Sequence, residues 1–297
     1  MRPDGDAIGS ALALSRALDV LGIENSVSDE SDIPSNLSFL TGTEKIGKGF
    51  FKEADLYIAV DSADEQRLGA LVDDFRAVSR KKDTVNIDHH VSNTRFAKYN
   101  YVRECSANCM NIAVLVEKLG VPLDKELAQY LLLGLLTDSG NFSHDDVTEE
   151  TFLTAAKLVK AGADIRWLNY NLFKKQSAVR AALFADTMSR IRYFFEGKFA
   201  AIVISREAMK KFGADNGMTE GFVDFPLSVD TVEVCASVME VKKGQYKISL
   251  RSKNYADVNK VAGTYGGGGH VRAAGCMLFG EIEDVLDRLS YTVSQYL

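Results

Sequence analysis

Two short apolar runs that stop abruptly on acids and imidazoles constrain what this chain can fold into more than any other feature. "ADLYIAVDS" (54–62) breaks off at Asp61, and "DTVNIDHH" (83–90) ends on Asp88, His89 and His90. Near-continuous apolar runs of this length mark strands buried on both faces, as in a parallel sheet covered by its own crossovers. The flanking segments supply the crossovers. "IGSALALSRALDVLG" (8–22) carries Ile8, Leu12, Leu18 and Leu21 at helical spacing and stops at Gly22, a residue suited to a left-handed helix end. "ANCMNIAVLVEKLG" (107–120) closes at Gly120, and "DKELAQYLLLGLLTDSG" (124–140) keeps an apolar face as far as Asp138. The alternation predicts an α/β fold with a doubly wound, mostly parallel sheet.

A chain of 297 residues is long for one domain, and its texture changes after about residue 180. "RYFFEGKFAAIVIS" (192–205) reads as a hairpin turning at Glu196-Gly197-Lys198, and "VEVCASVMEVKKGQYKISLRSK" (232–253) as another turning near Lys243-Gly244. A short helix runs into four glycines in "DVNKVAGTYGGGGH" (257–270), and an amphipathic helix closes the chain. The expected organisation is a first domain over 1–180 and a smaller α+β domain over 190–297, joined by a helical linker, "QSAVRAALFADTMSR" (176–190).

The formal charge is −6, from 35 basic and 41 acidic residues, so long duplex DNA is an unsuitable partner and any nucleic-acid contact must come from a local cationic groove. Cys105, Cys109, Cys235 and Cys276 form no CxxC pair, and there is no signal-like start and no apolar run of membrane-spanning length. A reduced cytoplasmic setting away from membranes is expected. Cys105 and Cys109, four residues apart, read as small buried residues of a helix.

Ligands of doubly wound sheets bind beyond the carboxyl ends of the strands. That rule brings Asp61, Asp88, His89, His90 and Asp138 to one edge, with Asp4 and Asp6 added from the opening "MRPDGDAIGS", read as a tight turn. Two carboxylates so close call for a neighbouring cation. Carboxylates mixed with imidazoles suit Mn²⁺, and paired metals with a bridging carboxylate are a common phosphoester-cleaving arrangement; the absence of thiolates argues against structural zinc. Each residue also has a plainer reading. A lone Asp after a strand is most often a turn or cap residue, which holds for Asp61 taken singly. Adjacent histidines at a strand end are rarer, and with four histidines in the chain the pair His89-His90 favours function. His144, in "NFSHDDVTEET", is either functional or a neighbour of a helix cap at Thr148.

A second constellation lies near the C-terminus. In "QYKISLRSK" alternation sets Tyr246, Ile248 and Leu250 on one face and Lys247, Ser249, Arg251 and Lys253 on the other, the latter by default a solvated face. "GGGGH" (266–270) costs backbone entropy unless the chain needs positive φ or close approach to a ligand. Free amides there would form an anion nest completed by Arg251 and His270; the alternative is a flexible loop.

Together "PDGDAIGS", "AVDS", "DHH", "TDSG", "SLRSK", "DVNKVAGTYGGGGH" and "AAGC" resemble the DHH phosphoesterase superfamily, in particular its small two-domain NrnA-like branch of oligoribonucleases and pAp phosphatases. The resemblance implies a catalytic DHH domain and a DHH-associated substrate-binding domain across a cleft. It implies two Mn²⁺ ions, with Mg²⁺ or Co²⁺ as substitutes, ligated by Asp4, Asp6, Asp61, His89 and Asp138, Asp61 bridging. Asp88 would orient its neighbours, His90 would face the scissile phosphate, and Arg251, Ser252, Lys253, Gly267, Gly268, Gly269 and His270 would hold the substrate's far end. The implied enzyme is a hydrolase, a 3'-5' oligoribonuclease and phosphatase releasing nucleoside monophosphates from short RNA, pApA, pAp or cyclic di-AMP by metal-activated water, and working as a homodimer. A pyrophosphatase or exopolyphosphatase of the same superfamily is the alternative. The family's first motif places a strand and a histidine four residues before the Asp4 position, a slot that falls ahead of Met1. The expectation is a native start further upstream or, failing that, a weakened first metal and an impaired nucleotide-binding protein.

Overall fold

Both apolar runs are strands, and they lie side by side in parallel. The computed structural model describes residues 3–297, so the slot ahead of Met1 lies outside the described residues. The chain divides into two units, the first ending at Lys175 and the second spanning Gln176–Leu297.

In the first unit, helix α1 (Gly5–Val20) is followed by a two-residue parallel pair, β1 (Val27–Ser28) with β2 (Ile46–Gly47). Next come β3 (Leu56–Val60), α2 (Val72–Ser79), β4 (Asp83–Asp88) and β5 (Tyr99–Val102), the three strands forming a parallel sheet in the order β3-β4-β5. Helices α3 (Asn108–Lys118), α4 (Lys125–Asp138), α5 (Glu149–Lys160) and α6 (Ile165–Asn169) follow, α6 running into a π-helical turn over 170–174. Ile58, Val60, Val85 and Ile87 face the large core built by α1, α3 and α4, while Tyr57 and Ala59 face a smaller one around Phe75 of α2. Apolar cores on both faces are what a doubly wound sheet requires. Registry pairs Val60 with Ile87, and the Asp61 amide donates to the Ile87 carbonyl at 2.9 Å, so Asp61 and Asp88 end their strands on one rung.

The alternate face of β4 is polar yet buried: Thr84, Asn86 and Asp88 are each fully inaccessible. Buried polar groups must be partnered, and here they stitch down the loop that follows. Thr84 Oγ1 accepts from the Lys98 amide, and Asn86 Oδ1 and Asp88 Oδ2 both accept from Asn93 Nδ2.

In the second unit α7 (Ala178–Met188) precedes β6 (Arg192–Phe194), β7 (Phe199–Ile204), α8 (Arg206–Phe212), α9 (Asp224–Leu227), β8 (Val234–Lys242), β9 (Gln245–Ser252), α10 (Val258–Gly263), β10 (Gly268–His270), β11 (Ala273–Phe279) and α11 (Ile282–Ser294). The sheet order is β10-β11-β9-β8-β7-β6, antiparallel except between β7 and β8. Both expected hairpins, β6-β7 and β8-β9, are present. The segment expected to be a linker is instead part of this unit, because Leu183 of α7 is buried with Ile202, Ile204 and Phe222. Helices α10 and α11 cover the opposite face, where Val258, Val261, Val285 and Leu289 pack on Val234, Val238 and Ile248.

Glu233, 4 % exposed, is a buried acid with a structural task. Its carboxylate accepts the backbone amides of Asn254, Tyr255 and Ala256 at 3.0, 2.6 and 2.9 Å, pinning the loop that follows Arg251-Ser252-Lys253. Burial alone would raise its pKa, but these hydrogen bonds hold it below the ordinary glutamate value. Such a depressed pKa contributes stability above the unfolded value of about 4.3, lost as pH falls through the folded value. Glu233→Ala is expected to cost about 3 kcal/mol at pH 7 by orphaning the three donors. Urea unfolding at pH 7 and in acid checks this: the gap between wild type and variant should shrink on acidification.

Candidate metal centre

The sequence reading of Asp4 and Asp6 as a turn needs correction. Gly5 already begins α1, with Asp4 as its N-cap, Oδ1 accepting the Asp6 and Ala7 amides at 3.0 Å each. Asp6 sits in the first helical turn, fully buried. A helix end also stabilises this acid: Asp6 accepts the amides of Asn108 (2.5 Å) and Cys109 (2.9 Å), at the N-terminus of α3. The N-cap residue there is Ala107, which has no side chain able to cap, so Asp6 caps α3 from another helix. Asp138 is the last residue of α4, the helix end at which the sequence set it.

These elements converge on His89. Its Nε2 lies 3.9 Å from Asp6 Oδ2, 3.4 Å from Asp61 Oδ1 and 3.3 Å from Asp138 Oδ2. Nδ1–H donates to the Cys105 carbonyl at 2.8 Å, which orients the ring and turns Nε2 toward the carboxylates. Two sets of donor atoms are each mutually within 4.8 Å: Asp61 with His89 and His90, and Asp6 with His89 and Asp138. Asp4 belongs to neither set, though its charge reaches Asp138.

Negative charge is crowded in this pocket. Burial, then repulsion from Asp61 and Asp138, holds the Asp6 carboxyl well above its usual range, and burial above all pushes Asp138 up to about 6. Burial would lower the His89 pKa, but the surrounding acids, Asp61 first, push it up to about 10. Asp61 Oδ1 is buried without a hydrogen-bond partner among the described residues, and Asp61 itself adopts a left-handed φ of 51°, a strained conformation of the kind found at functional sites. Crowded acids, an orphaned oxygen and an imidazole with its Nε2 turned among them are the donor set that divalent cations such as Mn²⁺ take. The residues fit a metal centre.

Residues 1–135 match the DHH family, N-terminal domain, and residues 196–297 match the DHHA1 domain. A bifunctional oligoribonuclease and PAP phosphatase NrnA of Thermus thermophilus is 32% identical over 301 residues, covering 99% of this chain and 87% of that protein. The chain belongs to the DHH family. It is thereby a hydrolase of phosphoester bonds. A probable enzyme of the same name from Streptococcus mutans is 28% identical, over 97% of this chain and 91% of that one. The crystal structure of an exopolyphosphatase-related protein from Bacteroides fragilis superposes with a TM-score of 0.80 at 26% identity, covering 99% of this chain and 89% of that one.

Within the DHH run itself, Asp88 and His90 form a pair: His90 Nδ1–H donates to Asp88 Oδ1 at 2.8 Å. That hydrogen bond raises the His90 pKa; for Asp88, hydrogen bonds from His90 and Asn93 outweigh burial and keep it low. Asn93, Asn86 and Asn111, whose Nδ2 donates to the Asp88 carbonyl, were not singled out from sequence. Two of them carried a signal: Asn86 interrupts an apolar strand and Asn111 an apolar helix. His144 binds the Asp138 carbonyl through Nδ1 at 2.7 Å and is absent from both ligand sets. Cys105 precedes α3 and only Cys109 lies within it; all four cysteines are free.

In the DHHA1 unit, Arg251 and His270 both register with Ala273, one on each neighbouring strand. Cross-strand partners share a face, so the guanidinium and the imidazole flank a small residue about 10 Å apart, two strand spacings. Ser252 and Lys253 are engaged otherwise: Ser252 Oγ donates to the Ala256 carbonyl and Lys253 Nζ to that of Val229, both at 2.7 Å. Three of the four glycine amides are not free for the expected anion nest, because those of Gly266, Gly267 and Gly269 donate to Gly263, Ala262 and Asn259. Gly267 and Gly269 serve close packing, and Gly266 takes a positive φ of 71°. A Cβ on Gly267 would run into the Gly275 carbonyl, and one on Gly269 into that of Ala273.

Gly134 of α4 is what lets α1 bring Asp6 into place. A Cβ there would run into Cys109 Sγ and stand 2.5 Å from Asp6 Oδ1 and 3.0 Å from Asp6 Cα. Gly134→Ala gains about 1 kcal/mol of helix propensity against an overpacking cost of about 1–3 kcal/mol. Stability should therefore change little, while activity falls on the order of 10²-fold through displacement of Asp6. Turnover measured beside thermal unfolding tests this pairing.

Proposed function

We propose that this protein is a manganese-dependent phosphoesterase that cleaves short oligoribonucleotides, linear dinucleotides such as pApA, and pAp to nucleoside monophosphates. The observation that carries the reading is the orphaned Asp61 oxygen among His89, Asp6 and Asp138. Asp61, His89, Asp6 and Asp138 would hold the cations, with Asp4 as a further acid whose charge reaches Asp138. When bound, paired divalent ions supply Lewis acidity toward a phosphoryl oxygen and make water a competent nucleophile near neutral pH. The chain's own part is positional. The Cys105 carbonyl aims His89, and Asp88, braced by Asn93, occupies His90 Nδ1 and leaves Nε2 as the ring nitrogen available to a phosphoryl oxygen. Arg251, with the His270 imidazole on the same face, gives the DHHA1 unit a hydrogen-bonding surface suited to a nucleotide's phosphate. The names of the Thermus and Streptococcus relatives support this substrate class, and a cytoplasmic homodimer acting on RNA fragments is the setting we assign it. Among the described residues no helix is long and apolar enough to cross a membrane.

A second reading, hydrolysis of inorganic polyphosphate or pyrophosphate, is favoured by the Bacteroides relative's description. Chromatography of pApA, pAp, cyclic di-AMP, pyrophosphate and polyphosphate incubated with Mn²⁺, Mg²⁺, Co²⁺ or chelator separates the two. AMP released from pApA or pAp, abolished by chelator, is the expected result. Turnover of polyphosphate alone would overturn it.

A further inference from the structure

We propose that the segment 165–175 is a second nucleotide-binding surface, which holds a residue of single-stranded RNA lying beyond the dinucleotide at the metal centre. The inference rests on the oligoribonuclease reading and extends it to substrates longer than two residues.

Charge supplies the first argument. Between Asp164 and Asp186 the chain carries Arg166, Lys174, Lys175 and Arg180 and no acid, in a protein of net charge −6. Arg166 and Lys174 are exposed and make no ion pair or side-chain hydrogen bond among the described residues. Aromatic groups supply the second. Trp167, Tyr170 and Phe173 recur at three-residue spacing and are 39%, 55% and 47% exposed, an unusual concentration of ring surface in water. Phe39 packs edge-on against Trp167 with centroids 5.0 Å apart, which holds that ring in a fixed orientation. Cations interleaved with exposed rings are how proteins bind single strands, the cations meeting phosphates and the rings stacking on bases.

Shape and position agree. Ile165, Arg166, Asn169, Tyr170 and Lys174 line a depression of about 430 Å³, within the range of small-ligand sites. The π-helical turn at 170–174 is a backbone irregularity frequent at functional sites. Asn169 Nδ2 donates to Asn141 Oδ1 at 2.8 Å, and Asn141 lies three residues beyond Asp138 in a left-handed stretch, so the surface is tied to the loop leaving the metal centre. A second copy of the chain is a poor occupant, because a two-fold interface would set these unpaired cations against themselves.

The test is fluorescence anisotropy with a labelled adenosine pentaribonucleotide in chelator, so that nothing is cleaved, comparing wild type, R166A/K174A and Y170A. Each variant is expected to bind about tenfold more weakly, and the double variant to lower the salt-dependence slope by about 1.4, two phosphates at about 0.7 each. Turnover of pApA with Mn²⁺ should be unchanged in both. Equal pentamer affinity in all three proteins, or no binding by wild type, overturns the inference. So does loss of a dimer on sedimentation without loss of RNA affinity, which would make the surface a subunit contact. Weaker pentamer binding by the variants alongside no pApA cleavage by wild type would sustain this surface and sink the oligoribonuclease reading instead.

Discussion

Asp61→Asn is expected to lower turnover of pApA by at least about 10³-fold while leaving the fold intact. Substituting partners that merely support a metal ligand costs about 10–100-fold, and Asp61 stands closer to the chemistry than those. Its backbone is held by the amide bond to Ile87 and turned by a φ of 51°, a conformation asparagine tolerates as well as aspartate. The backbone therefore survives the change. The buried Oδ1, 3.4 Å from His89 Nε2 and 3.8 Å from His90 Nδ1, does not survive as an anion, and a neutral amide is a poor partner for a divalent ion. The measurement pairs turnover with thermal unfolding in MnCl₂ and in chelator. Wild type should gain stability from the metal by mass action, and the variant should gain much less. A variant that keeps more than a tenth of the activity and the full metal-dependent shift would remove Asp61 from the centre.

Why Asp61 and the DHH run were legible in the sequence while their neighbours were misplaced has a physical answer. A strand buried on both faces tolerates few charges, so the points where an apolar run meets Asp61 and Asp88 stand out without any alignment. Asp4 and Asp6 gave a different signal: Gly5 between two acids has a turn-like composition, yet an N-cap aspartate followed by an apolar period is equally the start of a helix, and the structure takes the second option. The glycine run shows the limit of composition. Four glycines signal that side chains are forbidden, but they do not say whether the space belongs to a ligand or, as at Gly267 and Gly269, to a neighbouring strand's carbonyl. The 178–188 helix was read as a connector because it stands where the texture of the chain changes, yet Leu183 and Phe184 seat it on the second sheet. Long-range satisfaction was the least legible of all. Nothing local in "DAIGS" says that Asp6 caps a helix beginning about a hundred residues later.

That remote capping gives Asp6 two separable roles, and Asp6→Ala is expected to damage both. The methyl group cannot accept the amides of Asn108 and Cys109, so α3 starts uncapped and with buried donors, at a cost of about 2–4 kcal/mol. For a unit of this size such a loss lowers the melting temperature by roughly 5–15 °C. The same substitution deletes a carboxylate 3.9 Å from His89 Nε2, so turnover should fall at least about 10³-fold even at temperatures where the variant is folded. Asp6→Asn divides the effects, since its amide oxygen can still accept one of the two donors while its NH₂ faces the other. It should recover part of the lost stability and almost none of the activity. Thermal unfolding and single-turnover kinetics on both variants decide the matter. If Asp6→Asn restored activity in step with stability, Asp6 would be a helix cap and nothing more, and the cluster around His89 would have to hold its cations with Asp61 and Asp138 alone.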